Sequence, residues 1–251
     1  MHIVPLPAFN DNYIWLMHNG RHAVAVDPGD AGPVQDFIAQ HGLTLAAILI
    51  THHHHDHIGG IAALAGDAPV YGPARESIAG VTTRLVEGDT VSIDALGVSF
   101  GVLDIPGHTA GHIAYLAPGT LFCGDTLFSA GCGRLFDGTA AQLFASLTKL
   151  AALPDDTQVY CTHEYTLANL AFASAAEPHN PARDAWLETC RRLRSNGQPT
   201  LPTTIGREKA INPFLRVAQA SVAAGLTAHL GSAPADAQGR FTRLREWKNT
   251  F

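Results

Sequence analysis

The chain has 251 residues, 46% hydrophobic and 15% charged, with no apolar run of the roughly 18 residues that a membrane span requires. A membrane-spanning protein and a long disordered chain are therefore excluded. The net charge of −6 averages two unlike parts: residues 1–179 hold 5 Lys and Arg against 17 Asp and Glu, and residues 180–251 hold 11 against 5. The acidic part would repel phosphate and the basic part is short, so nucleic-acid binding is disfavoured, whereas an anionic small molecule suits the basic end. The four cysteines show no C-x-x-C spacing, and Met1 opens directly into strand-like sequence without a charged and apolar leader, which reads as a cytoplasmic, thiol-reduced protein.

In chain order, residues 13–17 and 22–27 are apolar, β-favouring runs around Asn19-Gly20, a hairpin signal. Val34, Phe37 and Ile38 then share one face of a helix ending near Gly42. Residues 46–50 form a buried-strand run that leads into Thr51-His52-His53-His54-His55-Asp56-His57. A short helix is expected over 58–65, a strand at 70–71, and a strand pair over 91–103 around residues 94–97. A loop holds Ile105-Pro106-Gly107-His108, and strands 113–116 and 120–123 flank Pro118-Gly119. Leu143, Leu147 and Leu150 stripe a helix with Thr139 as N-cap, and 158–161 is read as the last strand. Beyond about residue 165 helices take over. One starts at Asn180-Pro181 and ends at Gly197, and another spans 236–249 with Phe241, Leu244 and Trp247 on one stripe.

The residues able to bind metal lie just past predicted strand ends: His52, His54, Asp56 and His57 after 46–50, His108 after the strand to 103, Asp125 after 120–123, and His163 after 158–161. Loops at one sheet edge can converge while the strands hold them rigid. A catalytic zinc takes about three protein ligands plus water, so five imidazoles and two carboxylates suit two ions if one carboxylate bridges. With no thiolate, such a set favours zinc, iron or manganese, and two ions sharing a hydroxide are built for hydrolysis. Asp27 and Asp104 are candidates to hold ligand imidazoles through their second nitrogen. His53, His55 and His112 are read as bystanders, with the first two close to the site. Ser129 and Ser146 lie outside any G-x-S-x-G elbow, and Gly131-Cys132-Gly133 lacks the rest of a nucleotide fingerprint. A metal-storage role needs no ligands spread over four strand ends, so the pattern disfavours it.

Thr-His-x-His-x-Asp-His-x-Gly-Gly at 51–60, with Gly107-His108-Thr109, Gly124-Asp125-Thr126 and His163, resembles the signature of the metallo-β-lactamase superfamily. The resemblance implies an α+β fold: an αββα sandwich over residues 1–165, the catalytic domain, followed by a small helical domain over 166–251. A second set is more specific. Asp125-Thr126-Leu127-Phe128 through Arg134, His163-Glu164-Tyr165-Thr166, Asn212-Pro213-Phe214-Leu215-Arg216 and Arg245-x-x-Lys248 resemble the hydroxyacylglutathione hydrolase (glyoxalase II) family. That likeness implies that His52, His54 and His108 hold one metal, that Asp56, His57 and His163 hold the other, and that Asp125 bridges, with zinc expected and iron or manganese as alternatives.

It also implies a glutathione thioester substrate, S-lactoylglutathione by preference, within methylglyoxal detoxification. The peptide would be held by Arg134, Tyr165, Asn169, Arg245 and Lys248. The bridging hydroxide would attack the thioester carbonyl, with Asp56 orienting it. One departure stands out: Phe136 occupies a position where some relatives place a Tyr that touches glutathione. A monomer is expected. The alternatives are another hydrolase of the superfamily or a mononuclear persulfide dioxygenase.

Overall fold

The apolar runs at the start of the chain form antiparallel strands β1 (His2–Ala8), β2 (Asn12–His18) and β3 (His22–Val26). Helix α1 (Gly32–His41) leads to β4 (Thr44–Leu49), which pairs in parallel with β3. Strands β5 (Val70–Pro73) and β6 (Thr83–Leu85) extend the sheet, also in parallel. A strand covered on both faces reads as a continuous apolar run, and β4 delivers buried Ile48, Leu49 and Ile50 straight to Thr51. Helix α1 closes on Gly42, whose φ of +62° suits glycine at a left-handed helix end. Val34 packs beneath it among Leu6, Ile14, Leu16 and Ala25.

Strands β7 (Thr90–Ile93), β8 (Val98–Asp104), β9 (Ile113–Ala117) and β10 (Thr120–Gly124) follow as an antiparallel succession. The Tyr115 hydroxyl of β9 lies 2.9 Å from Ile50 O and 3.2 Å from Tyr71 O, reaching from this layer to the first sheet. These elements make one of two compact units, Met1–Asp104 with Thr109–Gly124; the other is Ile105–His108 with Asp125–Phe251. The computed structural model describes all residues, 1–251.

Two expectations for the first unit need correcting. The helix expected over 58–65 is two short helices, α2 (His55–Ile58) and α3 (Ile61–Leu64), so Asp56 and His57 stand on a helical turn. The break falls at Gly59-Gly60 because the 28–31 loop presses on the backbone there. A Cβ on Gly60 would lie 2.6 Å from Pro28 O, and the Gly60 amide donates to that oxygen. Strand β6 was not anticipated, being only three residues long.

In the second unit, β11 (Leu127–Phe128) and β12 (Gly131–Cys132) make a small hairpin, and α4 (Ala140–Ala151) starts at a Thr139–Gln142 capping box. The strand expected to be last, β13 (Gln158–Cys161), pairs antiparallel with a later one, β14 (Thr203–Thr204), too short to leave a periodic signal. Helices α5 (Thr166–Ala176), α6 (Pro181–Ser195), α7 (Ile205–Ile211), α8 (Ala220–Leu230) and α9 (Ala237–Thr250) complete it. Asn180 caps α6 by accepting from the Arg183 amide, and Asp236 caps α9 by accepting from the Gly239 amide. Phe172 stacks on Phe214, and Trp247 and Phe241 meet these two rings edge-on.

Candidate metal centre and substrate cavity

Within the first unit, Asp27 organises the His-rich segment. Standing just after β3 at a left-handed φ of +51°, it accepts from the Thr51 amide (2.8 Å), the Thr51 hydroxyl (2.7 Å) and His57 Nδ1 (3.0 Å). The hydrogen on His57 therefore sits on Nδ1, leaving Nε2 as its lone-pair nitrogen. Thr51 gives its proton to Asp27, so His52 Nδ1, 3.0 Å away, donates to the Thr51 oxygen. His52 and His57 are fully buried.

His52 Nε2 lies 3.1 Å from His54 Nδ1. Atoms bound to one ion at about 2.0–2.2 Å in tetrahedral geometry lie about 3.2–3.6 Å apart, close to this spacing. Asp56 Oδ2 stands 3.7 Å from His57 Nε2 and accepts from the Asn12 side chain at 2.9 Å. Gly29 packs so closely on Asp56 that a Cβ there would lie 1.9 Å from the Asp56 carbonyl oxygen. His53 Nδ1 meets Glu76 at 2.9 Å, while Asp104 pairs with Arg75 at 3.1 Å.

The second unit holds His108, Asp125 and His163. His108 Nδ1 donates to Arg134 O at 2.7 Å, and its Nε2 lies 3.5 Å from Asp125 Oδ2; His163 Nε2 lies 3.2 Å from the same oxygen. Two imidazole nitrogens thus face one carboxylate oxygen at the separation expected of co-ligands. The nitrogen and oxygen donors, the tautomers set by outer partners, and these spacings fit divalent metal. Gly133 permits this crowding, since a Cβ on it would lie 1.9 Å from Asp125 O. The Gly131-Cys132-Gly133 run is thus a close-approach device.

All five residues expected to bind substrate, Arg134, Tyr165, Asn169, Arg245 and Lys248, line one cavity of about 250 Å³, together with Phe128 and Cys132. Arg245 is buried, 5% exposed, and is held by Cys132 O (2.9 Å), Gly133 O (3.3 Å) and Asn249 Oδ1 (3.2 Å); its buried Nε has no partner. Lys248 Nζ sits 5.3 Å from the Phe172 ring. Burial first, and then the neighbouring Arg245, push the Lys248 ammonium below the usual lysine range. Burial likewise raises the Cys132 thiol, against the pull of Arg245. Tyr165 stacks on His163, ring centroids 4.6 Å apart and planes at 3°. Phe136 is 63% exposed and meets the His108 ring edge-on at 5.2 Å.

The remaining motif residues hold this cavity from behind. Glu164 accepts from the Thr200 amide at 2.8 Å. Asn212 donates to Phe128 O (3.2 Å), Gly131 O (2.9 Å) and Glu208 (3.0 Å), and Glu208 accepts from the Ala130 amide at 2.7 Å. The β11–β12 hairpin is thereby gripped from α7, and full burial raises the pKa of the Glu208 carboxyl. Sequence reasoning missed Asn12, Glu76 and Glu208. A lone polar residue in a strand or turn carries no periodicity, and only the fold reveals its partner.

A family model of the metallo-β-lactamase superfamily matches residues 9–163, and one described as the hydroxyacylglutathione hydrolase C-terminus matches 164–251. A hydroxyacylglutathione hydrolase of Cupriavidus taiwanensis is 55% identical, with 99% of this chain and 98% of that one covered, and one of Aliivibrio salmonicida is 54% identical, with 99% of each covered. Among solved structures, ETHE1 from Myxococcus xanthus superposes with a TM-score of 0.67 at 26% identity, covering 100% of this chain and 99% of that one. A metallo-β-lactamase fold, followed by the helical segment that the second family model describes, makes this chain a member of the hydroxyacylglutathione hydrolase family.

Proposed function

We infer that the chain is a glutathione thioester hydrolase of the glyoxalase II type, with S-lactoylglutathione as its substrate in methylglyoxal detoxification in the cytoplasm, acting as a monomer. The convergence of His108 and His163 on one Asp125 oxygen, in the unit whose cavity gathers Arg134, Tyr165, Asn169, Arg245 and Lys248, is the observation that carries this reading. His52, His54 and His108 would hold one ion, Asp56, His57 and His163 the other, with Asp125 shared and zinc the preferred metal. The support is family membership and, within each unit, the spacings between ring nitrogens and carboxylate oxygens described above. When bound, such ions acidify a water toward a pKa of about 7 and polarise a carbonyl oxygen.

The protein's own contribution is positioning. Arg245 and Lys248 stand three residues apart on α9 and present two cations to the carboxylates of the glutathione peptide. Arg134, Tyr165 and Asn169 supply the remaining polar contacts along the cavity wall. Asp56, fixed by Asn12, orients the attacking water, and Asp27 holds His57 so that the imidazole keeps its lone pair on Nε2. A thiol of pKa near 8.5 leaves as the thiolate, so no strong general acid is required. Phe136 lacks a hydroxyl and offers only its ring to substrate. We assign residues 1–165 to catalysis and 166–251 to gripping the peptide, with Arg134 and Tyr165 of the first segment sharing in the grip.

Loss of thioester absorbance from S-lactoylglutathione tests the reading. Asp125→Ala is expected to abolish turnover, and Arg245→Ala with Lys248→Ala to raise KM with kcat largely kept. Full activity in the Asp125 variant, or one iron per chain with oxygen uptake on glutathione persulfide, would overturn it.

A further inference from the structure

We infer that Glu76 is the positioning residue for one of the two proposed metal sites, that of His52, His54 and His108, and that the other site does not depend on it. The inference rests on the ligand assignment above. Glu76 lies in the turn after β5, and its side chain is 4% exposed. A carboxylate buried to this extent is costly unless its lone pairs are used. One oxygen accepts from the Thr109 hydroxyl and from the Gly111 amide (3.2 Å); the other faces His53 Nδ1 at 2.9 Å. Gly111 is closed onto the Glu76 side chain, for a Cβ there would lie 2.5 Å from Glu76 Cγ. Arg84 anchors the turn from outside by donating to Glu76 O at 2.9 Å.

These contacts fall on a particular pair of segments. His53 sits between His52 and His54, and Thr109 directly follows His108. One rigid carboxylate therefore ties the residue between His52 and His54 to the segment that directly follows His108, and all three of these ligands are assigned to the same ion. The ligands of the other ion have different supports: Asp27 holds His57, and Asn12 holds Asp56. Outer partners of metal ligands typically govern affinity by about 10–100-fold. Here the two buried carboxylates, Asp27 and Glu76, divide that work, although Asp27 also reaches His52 through Thr51.

The full-length, zinc-loaded chain is dialysed against graded dipicolinic acid, and the zinc retained is counted by atomic emission, for the wild type, Glu76→Ala and Glu76→Gln. Wild type is expected to release two ions. Glu76→Ala should release one of them at about 10–100-fold lower chelator and the second at the wild-type concentration. Glu76→Gln keeps an acceptor for Thr109 and Gly111 and should recover most of that loss. A wild type that holds fewer than two ions refutes the ligand assignment itself. A wild type that holds two, with Glu76→Ala releasing both as the wild type does, refutes the role of Glu76. Equal weakening of both ions in step with a fall in Tm refutes it as well, since general loosening does not select one site.

Discussion

Lys248 shows how a single position acquires its chemistry from its surroundings. A lysine at the end of a surface helix is ordinarily a solvated charge, yet this one is enclosed beside Phe172 and Arg245, and its ammonium is held below the usual lysine range by burial first and by Arg245 second. An anionic ligand relieves both effects, so binding is expected to weaken as pH rises through that lowered pKa. KM for S-lactoylglutathione should climb at a lower pH than an ordinary lysine would dictate, and a Lys248→Met variant should show a higher KM without that rise. In the proposed substrate site Arg245 would add a pre-set partner: anchored on Cys132 O and Gly133 O, it would lose little ordering entropy on binding.

Between elements, the close approaches matter most. Gly124 ends β10 at φ +47°, and a Cβ there would lie 2.3 Å from Thr51 Oγ1 and 2.8 Å from the His112 ring. Gly124→Ala adds backbone strain to overpacking and should cost about 2–4 kcal/mol, read from the urea midpoint. Gly119→Ala, at φ +68° with open space around it, should cost only about 1–2 kcal/mol. On the helical side, Glu177 follows α5 and accepts both Arg216 contacts at 2.8 Å, with Ser221 and Asn180 adding theirs. Burial works against ionisation, but the Arg216 pairing and these hydrogen bonds prevail and leave the pKa below the usual carboxylate value. That stabilisation is present at neutral pH and is lost as pH falls through the depressed pKa. Arg216→Ala should therefore cost about 3 kcal/mol at pH 7, with the gap to wild type narrowing in acid.

Long elements were legible in the residues because periodicity, caps and turns agreed. The Asn19-Gly20 hairpin, the Gly42 stop and the Thr139 and Asn180 caps all form as read, whereas Asp236, read as the first residue of its helix, caps it instead. What was not legible depended on partners distant in sequence: β6, the β11–β12 hairpin and β14 are two or three residues long and exist through pairing alone. His53 shows the same limit in the site, for nothing in a His-rich run announces the buried carboxylate at Glu76.

For the molecule as a whole, the acidic first 179 residues and the basic remainder set a long-range preference. An anionic thioester is attracted to the basic segment, so KM should rise with ionic strength, and the slope should flatten in the Arg245→Ala, Lys248→Ala double variant. No helix is long and apolar enough to cross a membrane, and all four cysteines are free and buried. The His-rich run also turns folding into something an affinity column can read. Folding buries His52 and His57 completely, half-buries His54 and sets half-buried His53 against Glu76, leaving His55 as the most open imidazole of the five. Unfolding frees five within six residues, a natural nickel-binding peptide. Capture of the untagged chain on immobilised nickel should stay low in buffer and rise across the urea transition, so the column would count unfolded molecules directly.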